Sequence, residues 1–180
     1  MKKMITSWLI IVFTVGAFIF LSACSKSKDS PSASGKYYIR CKVDGKERVF
    51  DGMTLGKTTD AGPGFAAYEL NLTASKDAQN VGENNFGLVL SSSTPFKEGQ
   101  VLTQQMIEGY GSQASMVYID ELGSTYISLN DILADDADVK VTITQVAGKE
   151  ISGTFSGILF SSLLEYAHTI TEGSFYLKTE

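Results

Sequence analysis

Apolar and polar residues alternate with a period of two along most of the chain after residue 36. In Tyr37–Val43, for example, Ile39, Cys41 and Val43 fall on one face and the intervening polar residues fall on the other. This period is typical of β-strands with one buried face, whereas a helix repeats its apolar positions every 3.6 residues. The pattern predicts nine strands, which are Tyr37–Val43, Lys46–Phe50, Phe65–Ala74, Asn85–Ser91, Ser115–Asp120, Thr125–Leu129, Val139–Val146, Ile151–Phe160 and Gly173–Lys178.

Short turn sequences separate several of these strands. Asp44-Gly45 accepts the positive φ angles of a tight hairpin and follows the first strand directly. Glu121–Ser124 and Ala147–Glu150 join two further pairs of strands in the same way. Neighbours along the sequence are therefore expected to pair as antiparallel hairpins.

Helical periodicity is scarce. Val101–Glu108 and Asn130–Ala134 are each compatible with a turn or two of helix, and Ser161–Ala167 with a short helix or a loop. We therefore predict an all-β domain, built as an antiparallel β-sandwich or barrel of about 8–10 short strands with one or two short helical turns.

The N-terminal segment has the organisation of a secretory signal. Lys2 and Lys3 precede an apolar run that ends at Leu21, and the small residues Ser22 and Ala23 then lead into Cys24. The Leu-Ser-Ala-Cys tetrapeptide looks like a bacterial lipobox, in which the cysteine is lipidated and becomes the first mature residue. An uncleaved transmembrane anchor is the alternative, because about 18 apolar residues lie near the lower limit for a spanning helix. The cysteine after small residues favours residues 1–23 as a lipoprotein signal peptide and Cys24 as the lipidation site.

The next residues, 24–35, are rich in serine and lysine and show no apolar periodicity. We expect them to form a flexible tether between the lipid and a single β domain over residues 36–180. The expected location is the bacterial cell envelope, with the lipid in a membrane. Ser25 resembles an outer-membrane sorting signal, and the choice of leaflet stays open.

Composition narrows the function classes. The chain has a formal net charge of −5 and no cluster of lysine and arginine, which argues against nucleic acid as a partner. The only tryptophan, Trp8, lies in the signal peptide. With Cys24 lipidated, Cys41 has no disulfide partner, and its place in an alternating strand predicts a small buried apolar residue.

An acidic cluster precedes the strand at Val139. Its carboxylates are of the type that binds calcium, but the residue spacing is not that of an EF-hand. Solvated loop carboxylates that discourage edge pairing are the preferred interpretation, with calcium as the weaker alternative. No cofactor is expected, and the weak metal candidates are Asp131, Asp135, Asp136 and Asp138.

Catalytic signals are weak. His168 is the only histidine, and a Ser-His-Asp triad is formally possible, but the exposed-nucleophile motif G-x-S-x-G is missing. A pair of carboxylates across a cleft would serve glycoside hydrolysis, yet the sequence singles out no such pair. No catalytic residue is assigned, and the chain is predicted not to be an enzyme.

Tyrosines offer flat apolar surfaces on which sugars stack. The absence of tryptophan from the mature chain lowers the expectation of carbohydrate binding without removing it. The candidate platforms are Tyr37, Tyr38, Tyr110, Tyr118 and Tyr126.

Several strand-and-turn motifs support a family comparison. The segments Val141–Thr144, Ile151–Gly157 and Ile170–Phe175, together with Lys42–Gly45 and Val49–Phe50 near the start, resemble a group of small uncharacterised lipoproteins from Bacteroidetes. The likeness covers most of residues 36–178. It implies a β-sandwich-like domain of unknown function and carries over no catalytic residues.

These observations lead to one functional expectation and two alternatives. We expect a lipid-anchored, non-catalytic binding or assembly module for a protein or glycan partner. The alternatives are a hydrolase of envelope or extracellular polymers and a purely structural component of the envelope. Two converging carboxylates, or His168 beside a serine, would favour the hydrolase.

Overall fold

The computed structural model describes residues 36–60, 68–80, 82–104, 113–128, 139–161 and 166–180, and these all lie within one compact unit. The regular elements in these ranges are eleven β-strands. In chain order they are β1 (Tyr38–Val43), β2 (Lys46–Phe50), β3 (Met53–Asp60), β4 (Tyr68–Ser75), β5 (Asn85–Ser92), β6 (Val101–Thr103), β7 (Gln113–Ile119), β8 (Thr125–Ile127), β9 (Lys140–Ala147), β10 (Glu150–Ser161) and β11 (Ala167–Lys178).

The all-β class is confirmed, and each of the nine predicted strands overlaps an observed one. The helical turn predicted over Val101–Glu108 is wrong at its start, because Val101–Thr103 is strand β6. Asn130–Ala134 lies outside the described residues, as does the centre of Ser161–Ala167. Among the described residues, no helix is long and apolar enough to cross a membrane.

Two strands were not predicted, β3 and β6. Strand β3 buries little besides Gly56, so its sequence lacks the alternation of apolar residues that marks the others. It is held by its antiparallel ladder to β4, from Met53 opposite Ser75 to Asp60 opposite Tyr68. Strand β6 is only three residues long, too short for a periodic signal.

The strands form one mixed sheet in the order β2-β1-β11-β10-β9-β6-β7-β5-β4-β3, with β8 pairing to both β10 and β7. Most pairs are antiparallel, as predicted, but β6 and β7 run parallel. The sheet is continuous, and neither a sandwich nor a barrel, the two predicted architectures, is confirmed by it.

The two edge strands of this sheet are close together in sequence. Strand β2 ends at Phe50 and β3 begins at Met53, so three Cα–Cα steps of about 3.8 Å hold the two strand ends within about 11 Å. The sheet must therefore curl. Edge strand β3 also contacts the residues that follow β11, where the Glu180 N–H donates to the Gly56 carbonyl at 2.9 Å. A Cβ at Gly56 would lie 2.6 Å from the Lys178 carbonyl oxygen, so this approach requires glycine.

The curled sheet encloses a core on its inner face. Phe50 of β2 contacts Phe86 of β5, with ring centroids 5.7 Å apart, although these strands lie far apart in the sheet order. Phe86 also packs against Tyr118 and Phe155 at 6.2 and 5.1 Å. The face of β1 that was predicted to be apolar is buried, and the alternate apolar residues of β5 and β9 are buried in the same way; these residues are Ile39, Cys41, Val43, Phe86, Leu88, Leu90, Val141 and Ile143.

Replacement of Phe86 by alanine should destabilise the domain strongly. The ring is fully buried and contacts three other aromatic rings, so its loss leaves a cavity and should lower the free energy of unfolding by about 3–5 kcal/mol. Urea titration followed by far-UV circular dichroism measures this change. The control is Leu122→Ala, at a side chain that is 88% exposed, for which a change within about 0.5 kcal/mol is expected. Equal effects of the two substitutions would contradict the assignment of the core.

Candidate binding site

Four neighbouring strands, β1, β11, β10 and β9, present a polar outer face. Because side chains alternate across a strand, the residues next to the buried ones point outward. In one row Arg40 pairs with Ser174, Ser174 with Thr154, and Thr154 with Thr142. We call these four residues the hydroxyl row, since three of them carry a hydroxyl group.

The hydroxyl row lies in an open depression of about 430 Å³. Ser156, Lys140 and Glu172 add a hydroxyl, an ammonium and a carboxylate to its lining. The backbone of β-strands positions all of these side chains, which makes the site more rigid than one built on loops. The arrangement offers hydrogen-bond donors and acceptors over several strands.

A β-bulge in β11 borders this depression. Between Arg40 and Lys42 of β1 there is one residue, whereas two residues, Glu172 and Gly173, separate their partners in β11. The register against β10 shifts at the same place. Glu172 has a φ of 51°, which lies in the left-handed region. This conformation is uncommon for a residue with a side chain and costs about 1 kcal/mol. Bulges of this kind re-aim side chains and are frequent beside functional sites.

The Arg40 guanidinium is held by two contacts. Its Nε–H donates to the Ser174 hydroxyl at 2.8 Å, and its central carbon lies 5.2 Å from the centre of the Tyr38 ring. A hydrogen bond and a cation–π contact together restrict the orientation of the side chain. Across the depression, Lys42 pairs with Glu172 at 2.6 Å and so balances the carboxylate there.

A second polar cluster lies where the described domain begins. Tyr37 and Tyr176 donate to the two oxygens of Glu150 at 2.9 and 2.5 Å, and Lys36 forms an ion pair with the same carboxylate. Hydrogen bonds from Lys36, Tyr176 and Tyr37, in that order of importance, lower the pKa of Glu150 to about 2. These contacts fasten the start of β1 to the turn between β9 and β10.

His168 and Asp44 form a third cluster. The His168 Nδ1 lies 2.6 Å from an Asp44 carboxylate oxygen, and the backbone N–H of Thr169 donates to the other oxygen at 2.9 Å. Burial alone would raise the pKa of Asp44, but these hydrogen bonds outweigh it and hold the pKa below its usual value. Within the described residues, His168 and Asp44 supply two members of a triad, and no hydrogen bond joins a serine hydroxyl to His168.

The structure describes some of the predicted site residues and not others. Cys24 and the four aspartates Asp131, Asp135, Asp136 and Asp138 lie outside the described residues. Within the ranges that the structure describes, no group of three or more His, Cys, Asp or Glu side chains could hold a metal ion. Cys41 is 3% exposed and burial raises the pKa of its thiol to about 12, which confirms it as a buried apolar residue.

The tyrosines predicted as platforms for sugar stacking differ in exposure and contacts where the structure describes them. Tyr118 is wrong as a platform, because it is only 2% exposed and packs in the core. Tyr110 lies outside the described residues, and Tyr126 packs against the core and the His168 ring. Tyr37 has its hydroxyl engaged by Glu150, whereas Tyr38 lies beneath Arg40 beside the depression.

The sequence pattern did not predict the depression. The alternation in each strand could have placed Arg40, Thr142, Thr154 and Ser174 on an outer face. It could not have brought them together, because Arg40 and Ser174 are 134 residues apart and meet only through strand pairing.

A scan against protein-family models, a search of curated proteins and a search of solved structures each found no match to this chain. The resemblance to small Bacteroidetes lipoproteins therefore stays a prediction.

Replacement of Glu172 by glycine should stabilise the domain. Glycine adopts the left-handed conformation without strain, and the exposed ion pair with Lys42 contributes little, so the free energy of unfolding should rise by about 0.5–1 kcal/mol. The matched control is Glu47→Gly in the regular strand β2, where glycine should lower the free energy by a similar amount. Thermal unfolding of both variants tests the difference in sign. A loss of stability in both would show that Glu172 is not strained.

Proposed function

We propose that this protein is a lipid-anchored, non-enzymatic binding module of the bacterial cell envelope that recognises a glycan through the depression over β1, β11, β10 and β9. The observation that carries the proposal is the hydroxyl row, in which Arg40, Ser174, Thr154 and Thr142 lie side by side on a rigid sheet.

The chemistry of the depression suits a sugar chain. Sugar hydroxyls both donate and accept hydrogen bonds, and serine and threonine hydroxyls do the same. An open depression across several strands accommodates the middle of a long polymer, because neither end of the polymer has to enter a closed pocket. A protein partner would favour an apolar patch instead, and this face is polar.

The lining of the depression supports binding more than catalysis. Hydrolysis by paired carboxylates requires two acids about 5–10 Å apart. Among the described residues that line the depression, Glu172 is the one acid, and it is paired with Lys42. A polymer hydrolase that uses His168 and Asp44 is the alternative, and it would need a nucleophile, because no hydrogen bond joins a serine hydroxyl of the described residues to His168.

The proposed anchor is the lipid on Cys24 in the outer membrane, after removal of residues 1–23. A tether of about a dozen residues reaches roughly 20 Å, which would hold the β domain just off the membrane surface. Acyl chains supply the attachment, at about 0.8 kcal/mol for each buried methylene.

Lipidation should depend entirely on Cys24. We expect the Cys24→Ala variant to incorporate no labelled palmitate when expressed in a lipoprotein-processing bacterium, because the modified sulfur is absent. Cys41→Ala is the control and should be labelled like the unmodified protein, since Cys41 is buried in the core. Labelling of the Cys24 variant would refute the anchor.

Glycan binding should depend on the hydroxyl row. We expect the full chain, in a neutral detergent, to bind members of a glycan array, and the Thr142→Val/Thr154→Val double variant to bind at least about tenfold more weakly. Two lost hydrogen bonds of about 0.5–1.5 kcal/mol each account for this change. Valine keeps the shape and the strand preference of threonine, so the fold should persist.

The control for this experiment is Thr125→Val, at an exposed position of β8 that does not line the depression. It should bind like the unmodified chain. Absence of binding to any glycan, or equal binding by the double variant and the unmodified chain, would overturn the proposed function.

A further inference from the structure

We propose that the glycan is acidic, and that Arg40 and Lys140 bind carboxylate or sulfate groups on it. This inference rests on the proposed function, because it specifies the ligand of the same depression. It depends on the charges that the depression leaves unbalanced.

In the described part of the chain, the two cations of the depression, Arg40 and Lys140, take part in no ion pair. The pairs there are Lys36–Glu150, Lys42–Glu172, Arg48–Glu121 and His168–Asp44. Neither Arg40 nor Lys140 has a carboxylate partner among the described residues, although acidic residues outnumber basic ones in the whole chain by 20 to 15. Two cations without such partners in an acidic protein face the same open depression.

The described lining of the depression carries a net positive charge for the same reason. Glu172 is the acid in its described lining, and the ammonium of Lys42 lies 2.6 Å from it. Arg40 and Lys140 therefore add positive charge, and no carboxylate of the described residues forms an ion pair with either of them. An anionic ligand would be attracted here even though the protein as a whole is negative.

Arg40 is also oriented for an anion. Its Nε–H is already used by Ser174, which leaves the two terminal nitrogens of the guanidinium for a ligand. These nitrogens form a planar fork that matches a carboxylate or sulfate, and the ring of Tyr38 supports the plane from one side. Because the side chain is already held, less conformational entropy is lost on binding.

The spacing of the two cations favours an extended ligand. Arg40 lies on β1 and Lys140 on β9, three strand spacings apart, which is about 14 Å between the strands. Thr154 and Ser174 lie on the strands between them. A ligand that contacts both cations therefore extends over the hydroxyl row, as an oligosaccharide does and a free inorganic anion does not.

The experiment compares three tetrasaccharides of one length by isothermal titration of the full chain in a neutral detergent. They are galactotetraose, its uronic-acid counterpart and its sulfated counterpart. We expect at least one acidic form to bind about tenfold or more tightly than the neutral form, since charge-assisted hydrogen bonds are the stronger ones. Arg40→Gln and Lys140→Gln should each lower the affinity for the acidic form by about tenfold and the affinity for the neutral form by a much smaller factor.

The matched control is Lys76→Gln, at a loop lysine outside the depression, and it should change neither affinity. Raising the NaCl concentration from 0.05 to 0.5 M should weaken binding of the acidic form selectively, because salt screens exposed charges.

Each outcome separates this inference from the proposed function. Equal binding of neutral and acidic forms, with no effect of Arg40→Gln, overturns the inference and leaves glycan binding in place. Inorganic phosphate that binds as tightly as the acidic tetrasaccharides also overturns it, because the cations would then be a general anion site. No binding of any tetrasaccharide, together with an unaffected Thr142→Val/Thr154→Val variant on the array, overturns both.

Discussion

The two-residue connection Asp51–Gly52 joins the strands at opposite edges of one eleven-stranded sheet. With Phe50 and Met53 held within about 11 Å, the sheet must curl, and its apolar face must turn inward. Phe50 then meets Phe86 from a distant part of the same sheet. The Gly52 N–H donates to the Ser75 carbonyl at 2.9 Å, which fixes the connection to the end of β4. The core depends on this closure.

The curl also determines what the outer face can do. Since the inner face takes most of the apolar residues of β1, β11, β10 and β9, the outer face of these strands is left mainly with hydroxyls and charges. The bulge at Glu172 interrupts the regular ladder beside this face. A strained residue there costs stability, and such a cost is usually retained where geometry matters for function.

Charge is distributed unevenly over the domain. At the start of β1 the carboxylate of Glu150 is surrounded by Lys36, Tyr37 and Tyr176, and in the hairpin at Asp44 the carboxylate is bound by His168 and Thr169. In both places acid and partner satisfy each other. The depression differs, because within the described residues Arg40 is held through its Nε–H and its ring contact, and its terminal nitrogens remain as donors for a ligand. This difference singles out the depression among the three polar clusters.

The sequence by itself determined the all-β class, most strands and the buried residues within them, such as Phe86, Leu88 and Leu90. Alternation is a local property, so it can be read without knowing which strands pair. Tertiary structure alone decided the parallel pairing of β6 and β7, the edge strand β3, and the meetings of Arg40 with Ser174 and of Asp44 with His168. Those partners are 134 and 124 residues apart, and their register depends on strand order and on a bulge that no local pattern encodes.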